Sequence, residues 1–123
     1  MAHDDVAQGP AHPLIESDHV AGTAVYDAND ERIGTIKRLV IEKVSGHVVY
    51  AVTTLGGVLG LGAEVHTIPW EQLHYDLGLH GYRTTINHGR LLNAPEFARQ
   101  DDSLLSGHER EKLSRHYLIP PEI

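Results

Sequence analysis

Between residues 20 and 86, apolar side chains arrive in short bursts broken by turn-forming residues, which is the spacing of strands and not of helices. Val20-Ala-Gly-Thr-Ala-Val-Tyr26 is rich in β-forming residues and runs into the polar turn Asp27-Ala-Asn-Asp-Glu31. Across residues 33–42 the two-residue alternation slips between Ile36 and Leu39, which predicts a bulge or bend at that point. Lys43-Val-Ser-Gly46 reads as a tight turn with glycine where the backbone needs positive φ. Residues 48–55 are nearly all apolar or β-branched and predict a central strand buried on both faces, paired with the preceding run as a hairpin. A strand over 64–68 ends at Pro69, which has no N–H for a ladder. Residues 73–75 and 82–86 form a second hairpin around the turn 76–81. About six strands joined by short links predict a small closed barrel, mainly antiparallel, of the all-β class.

After residue 86 the period changes. Asn87 is placed to cap a short helix over 88–92 that Pro95 stops. Ser106 and Glu109 have the spacing of a reciprocal capping box, so a helix of about 107–117 follows, with Glu111 and Arg115 as an i,i+4 pair. Pro120-Pro121 ends it. Leu104, Leu105, Leu113, Tyr117, Leu118 and Ile119 make this tail too apolar to remain solvated. An isolated helix of ~11 residues is marginal in water, so the arm must dock on its own barrel or on another chain. The reading is therefore a disordered tail over 1–13, a barrel domain over 14–97, and a C-terminal arm over 98–123.

One set of segments carries a resemblance. Gly22-Thr-Ala-Val-Tyr-Asp27, Ile33-Gly-Thr-Ile36, Leu39-Val-Ile-Glu-Lys-Val-Ser-Gly46, Val49-Tyr-Ala-Val52, the glycine-rich 56–62 loop, Ile68-Pro-Trp70 and Leu91-Leu-Asn-Ala-Pro-Glu-Phe97 follow one another in the order of a PRC-barrel domain, which this chain resembles over residues 14–97. The resemblance implies a small β-barrel akin to the cytoplasmic part of the photosynthetic reaction-centre H subunit and to the C-terminal half of a ribosome maturation factor. It implies scaffolding: binding another protein or modulating an assembly. It brings no catalytic motif. The chain shows neither the H subunit's membrane helix nor the maturation factor's extra N-terminal domain, so neither specific job follows.

Composition narrows the chemistry. The 123 residues suit one domain, and 41% apolar with 22% charged residues is a globular balance. The absence of cysteine excludes disulfides, thiolate metal sites and thiol nucleophiles. No apolar run reaches the ~20 residues of a membrane helix, and the acidic start Met1-Ala-His-Asp-Asp is unlike a signal peptide, so a cytoplasmic location and no membrane insertion are expected. A formal charge of −7 argues against nucleic-acid binding. The densest basic stretch, Arg32, Lys37, Arg38 and Lys43, is offset by Glu31 and Glu42 and should be dispersed on strands, which makes an RNA-processing accessory role a distant alternative. Ten histidines titrating near pH ~6.5 would cancel the negative charge in mildly acidic buffer, and a solubility minimum is expected there.

Candidate chemistry is sparse. Gly57, Gly60 and Gly62 lack the dinucleotide fingerprint and are followed by a strand, so no nucleotide loop is expected. Val58, Leu59 and Leu61 on that loop instead suggest a contact surface. His66 and His74 could face each other on neighbouring strands with Glu64 nearby, which is the basis for a runner-up reading as a small-molecule or metal-binding barrel. His108 and His116 are too far apart for one ion, and Met1-Ala-His3 would hold copper or nickel only adventitiously. Ser45 and Ser106 are explained by a turn and a cap, and no nucleophile elbow occurs. Trp70 is expected to plug a barrel end, with an exposed anchor as its other role. No catalytic, cofactor or metal residue is assigned. The expectation is a non-enzymatic protein-interaction module, homodimeric, with an unidentified protein partner. Its candidate interface is Val58, Leu59, Leu61, Leu104, Leu105, Leu113, Tyr117, Leu118 and Ile119.

Overall fold

The computed structural model describes residues 12–56 and 63–118. A short helix α1 (Ser17–Val20) leads into strands β1 (Ala24–Tyr26), β2 (Arg32–Ile41), β3 (Val48–Leu55), β4 (Glu64–Pro69), β5 (His74–Asp76) and β6 (Gly81–Arg83). Helices α2 (His88–Leu92) and α3 (Gly107–Leu118) close the chain, with one-turn 3-10 segments at Trp70–Gln72 and Glu96–Arg99. The strands form one sheet in the order β4-β3-β2-β1-β6-β5. All pairings are antiparallel except β1 with β6, which is parallel.

The slip in alternation along the long second strand is a real bulge. The β2–β3 register pairs Ile36 with Thr53 and then Arg38 with Val52, so Lys37 is the extra residue. The bulge returns Leu39 to the side of Ile36 and bends the strand. β3 sits between β2 and β4, and residues 50–53 are buried without alternation, as expected of a strand covered on both faces. Gly46 takes φ +79° in the β2–β3 turn, where a side chain would be strained.

Closure differs from expectation. β4 and β5 are consecutive in the chain, yet they stand at opposite ends of the ladder order, and among the described residues the sheet does not close. β4 ends at Pro69, which cannot donate, and β5 is only three residues long. Side chains occupy this side of the molecule instead. The Trp70 ring lies 5.3 Å from that of Tyr82, Tyr75 meets Tyr82 edge-on at 5.1 Å, and Leu73 is buried.

The tail set apart by sequence shares the core of the sheet. Ala98, Leu113 and Tyr117 belong to the same buried cluster as Val25, Ile36 and Ile68, with Phe97 and Leu105 packed against it. The caps are as read. The Asn87 carboxamide oxygen accepts from the Arg90 N–H at 2.8 Å, and Ser106 and Glu109 exchange bonds of 2.9 and 3.1 Å. Arg115 pairs with Glu111 at 3.0 Å. Two further bonds tie α3 to α2: the Arg90 guanidinium donates to the His116 carbonyl, and the His116 ring donates to the Arg90 carbonyl, both at 2.7 Å.

Candidate functional site

Three segments far apart in sequence enclose a groove of about 620 Å³. The first is the end of the β2–β3 turn and the start of β3. The Gly46 N–H donates to the Glu42 carbonyl at 2.8 Å and the His47 N–H donates to the Ser45 hydroxyl at 3.1 Å, which fixes His47, Val48 and Val49 along one wall. The second is the turn at the end of β4. Pro69 brings the chain to the 3-10 turn, closed by the Leu73 N–H donating to the Trp70 carbonyl at 3.0 Å, and this turn leaves Trp70 half-buried in the groove with Glu71 exposed beside it. The third is α3, whose Arg110 and Ser114 lie one helical turn apart and both face the groove.

Arg110 is the group with the most to offer a ligand. Its Nε donates to the Tyr50 hydroxyl at 3.4 Å and its guanidinium carbon sits 5.8 Å from the centroid of that ring. The Tyr50 hydroxyl raises the Arg110 pKa above its ordinary value, so the cation persists at any physiological pH. Among the described residues no carboxylate lies within ion-pair distance of Arg110, although Glu42 acts on it from longer range; Arg38 and Arg115 each have one partner and Arg83 has two, while Arg32, Arg90 and Arg99 have none there either. Apolar walls from Val48, Val49 and Trp70, with the Arg110 cation at one side and Glu71 beside Trp70, suit an extended segment that presents aliphatic or prolyl side chains and a carboxylate directed to Arg110.

The sequence-derived interface residues are scattered by the fold. Leu104 is 84% exposed. Leu105 packs against the core, and Leu113 and Tyr117 are inside it, so the arm is docked on its own sheet. Leu118 is the last residue of α3. Val58, Leu59, Leu61 and Ile119 lie outside the described residues. Burial pushes the Tyr117 hydroxyl up to about 12, and that hydroxyl has no hydrogen-bond partner among the described residues.

His66 and His74 do not meet. β4 and β5 are not ladder neighbours; His74 pairs opposite Arg83 and is exposed. His66 is 3% exposed, its Nε2 donates to the Glu64 carboxylate at 3.1 Å, and its Nδ1 is buried without a partner among the described residues. Burial holds its pKa below the ordinary histidine value, against the opposing pull of Glu64. Among the described residues the group of three candidate ligand side chains is elsewhere, at the exposed Glu16, Asp18 and His19. Two members of the basic stretch share a partner that the sequence did not point to. The bulge turns the adjacent Lys37 and Arg38 toward one carboxylate, Asp101, which Lys37 reaches at 2.6 Å and Arg38 also contacts. These two cations hold the Asp101 pKa below the usual carboxylate range.

The groove itself was missed, because its walls are 20 to 60 residues apart. One local signal was available. Arg110 has Ser106 and Ser114 at i±4 and Gly107 and Leu113 at i±3, so its own helix offers it no acid, unlike Arg115 with Glu111.

The architecture defines a small domain with one curled mixed β-sheet, capped by a C-terminal helix that completes an aromatic-lined groove. The chain belongs to the PRC-barrel domain family, whose model matches residues 14–91. A comparison with curated proteins finds no match. The family match ends before α3, so Arg110 and Ser114 come from outside it. Among the described residues no helix is long and apolar enough to cross a membrane.

Proposed function

We propose that this PRC-barrel protein is a non-enzymatic interaction module that works as a homodimer in the cytoplasm, in the manner of the assembly-supporting relatives that its sequence resembles. Its docking surface is the groove between the β2–β3 turn, Trp70 and α3. The observation that carries this reading is Arg110: a cation held over a tyrosine ring, with no ion-paired carboxylate among the described residues, beside a half-buried tryptophan. Tryptophan, tyrosine and arginine are the side chains that most often anchor protein contacts, because each combines a large flat surface with a polar end. The side chains in the groove offer shape, a cation at Arg110 and a carboxylate at Glu71, which is what recognition of a peptide segment requires.

The test is a comparison of two full-length baits in extract from the source cells. The parent chain should retain a defined set of proteins that the Arg110→Glu chain loses. An identical retained set, with both baits folded by circular dichroism, would remove the groove from the function.

A further inference from the structure

We infer that the groove receives the segment that follows α3, residues 119–123, from a second copy of the chain, and that two copies exchange these segments reciprocally. This inference rests on the interaction-module reading and supplies its partner.

The segment is Ile119-Pro120-Pro121-Glu122-Ile123. Consecutive prolines fix φ and favour an extended polyproline helix without internal hydrogen bonds, a conformation that aromatic-lined grooves bind at low entropic cost. Ile119 and Pro120, each preceding a proline, are themselves driven to extended backbone. Two aliphatic side chains and two pyrrolidine rings match the apolar wall of Val48, Val49 and Trp70, and Glu122 supplies a direct ion-pair partner, which Arg110 has not got among the described residues, where Glu42 acts on it only from longer range and Glu71 stands elsewhere on the groove wall. The other closely spaced pair of prolines, in Pro10-Ala-His-Pro13, has no acid beside it, and Pro69 and Pro95 are single prolines.

The geometry of α3 selects a second copy over the same one. Arg110 lies eight residues before Leu118, about 12 Å back along the helix axis at 1.5 Å per residue. Five residues in polyproline geometry extend about 16 Å. For Glu122 to meet Arg110 of its own chain, the segment would have to reverse at Ile119-Pro120, where proline sterics enforce extension. A segment that stays extended past Leu118, as its prolines favour, can instead be presented to a neighbour. If one segment fills the neighbour's groove, the two-fold operation puts the neighbour's segment in the first groove. The second contact is then intramolecular in character and much stronger than a lone peptide contact.

The experiment uses full-length protein, the same protein ended after Leu118, and a synthetic peptide of residues 118–123. Sedimentation equilibrium should give a dimer for the full chain and at least a tenfold weaker association for the shortened one. Trp70, the one tryptophan in the sequence, reports occupancy directly. The peptide should shift its emission in the shortened protein and dissociate the full-length dimer. Arg110→Glu and Glu122→Arg should each weaken the dimer at least tenfold, and the two together should recover most of the loss. A peptide of residues 8–13 should do nothing. The inference is overturned if the shortened chain associates as tightly as the full one. It is equally overturned if the peptide leaves Trp70 emission unchanged, or if removing the segment alters Trp70 emission while both chains are monomers, which would mean docking within one chain. Should it fail while the parent bait still retains proteins that the Arg110→Glu bait loses, the interaction-module reading stands with a foreign partner. If both fail, the groove is not a docking surface.

Discussion

Gly34 illustrates how one atom can decide a sheet. It sits in β2 between Val25 of β1 and Leu55 of β3. A Cβ built there would fall on the Thr54 carbonyl oxygen and crowd the Leu55 Cα at 2.9 Å, both of them backbone atoms that cannot swing aside. Gly34→Ala should therefore cost about 1–3 kcal/mol as the β2–β3 ladder is pushed apart, read as a lower urea midpoint at unchanged slope. A variant as stable as the parent would mean that β3 has room the structure does not show. His66 makes a pH argument at the same scale. With Nε2–H donated to Glu64, the neutral ring keeps a lone pair at Nδ1; protonation would place a second N–H there with nothing to accept it. The native pKa is depressed by burial while the unfolded value stays near 6.5. Above that value both states are neutral and nothing is lost. As pH falls below it, the unfolded chain takes up a proton that the native ring resists, so stability declines with acidity. His66→Gln should have a shallower decline between pH 7 and 5 in urea titrations; parallel curves would show that His66 titrates as if exposed.

Elements were legible where their signal is local. The bulge in β2 was readable because the slip from Ile36 to Leu39 lies within one strand, and the cap of α3 because Ser106 and Glu109 satisfy each other within one turn. The destination of α3 was not readable, since an apolar stripe of Leu113 and Tyr117 fits any apolar partner. In the fold they are inside the core, and the two behave oppositely on truncation. Leu113 is fully buried among apolar neighbours, and Leu113→Ala should lose about 2–5 kcal/mol through lost packing and the cavity left behind. Tyr117 buries a hydroxyl that finds no partner among the described residues, so Tyr117→Phe removes an uncompensated desolvation and should gain about 1 kcal/mol. Thermal melts of both variants separate these signs. A Tyr117→Phe protein less stable than the parent would indicate that the hydroxyl holds a bond, to an ordered water for instance.

For the molecule as a whole, the open question is whether the sheet can stand without the arm. Closure by a ladder was the part of the fold that propensity could not decide, because a strand sequence does not say which neighbour it takes at an edge. With β4 and β5 at opposite ends of the sheet, burial near β4 relies on the Glu96–Arg99 turn and α3, which both contact that strand. Lys37 and Arg38 fasten Asp101 on the way, but these pairs are exposed and worth little. What holds the arm is apolar: Ala98, Leu105, Leu113 and Tyr117. Losing several such side chains at once removes an amount comparable with the ~5–15 kcal/mol that stabilises an ordinary domain. A chain ended at Phe97 should therefore lose cooperative unfolding and near-ultraviolet circular dichroism, while one ended at Leu118 keeps both. If the chain ended at Phe97 melts cooperatively within a few degrees of the parent, the sheet is self-sufficient and the arm is an accessory. The distinction also governs how association is studied. Removing the whole arm would abolish any dimer simply by unfolding the protomer, so only the cut after Leu118 separates the groove's proposed occupant from the fold that builds the groove.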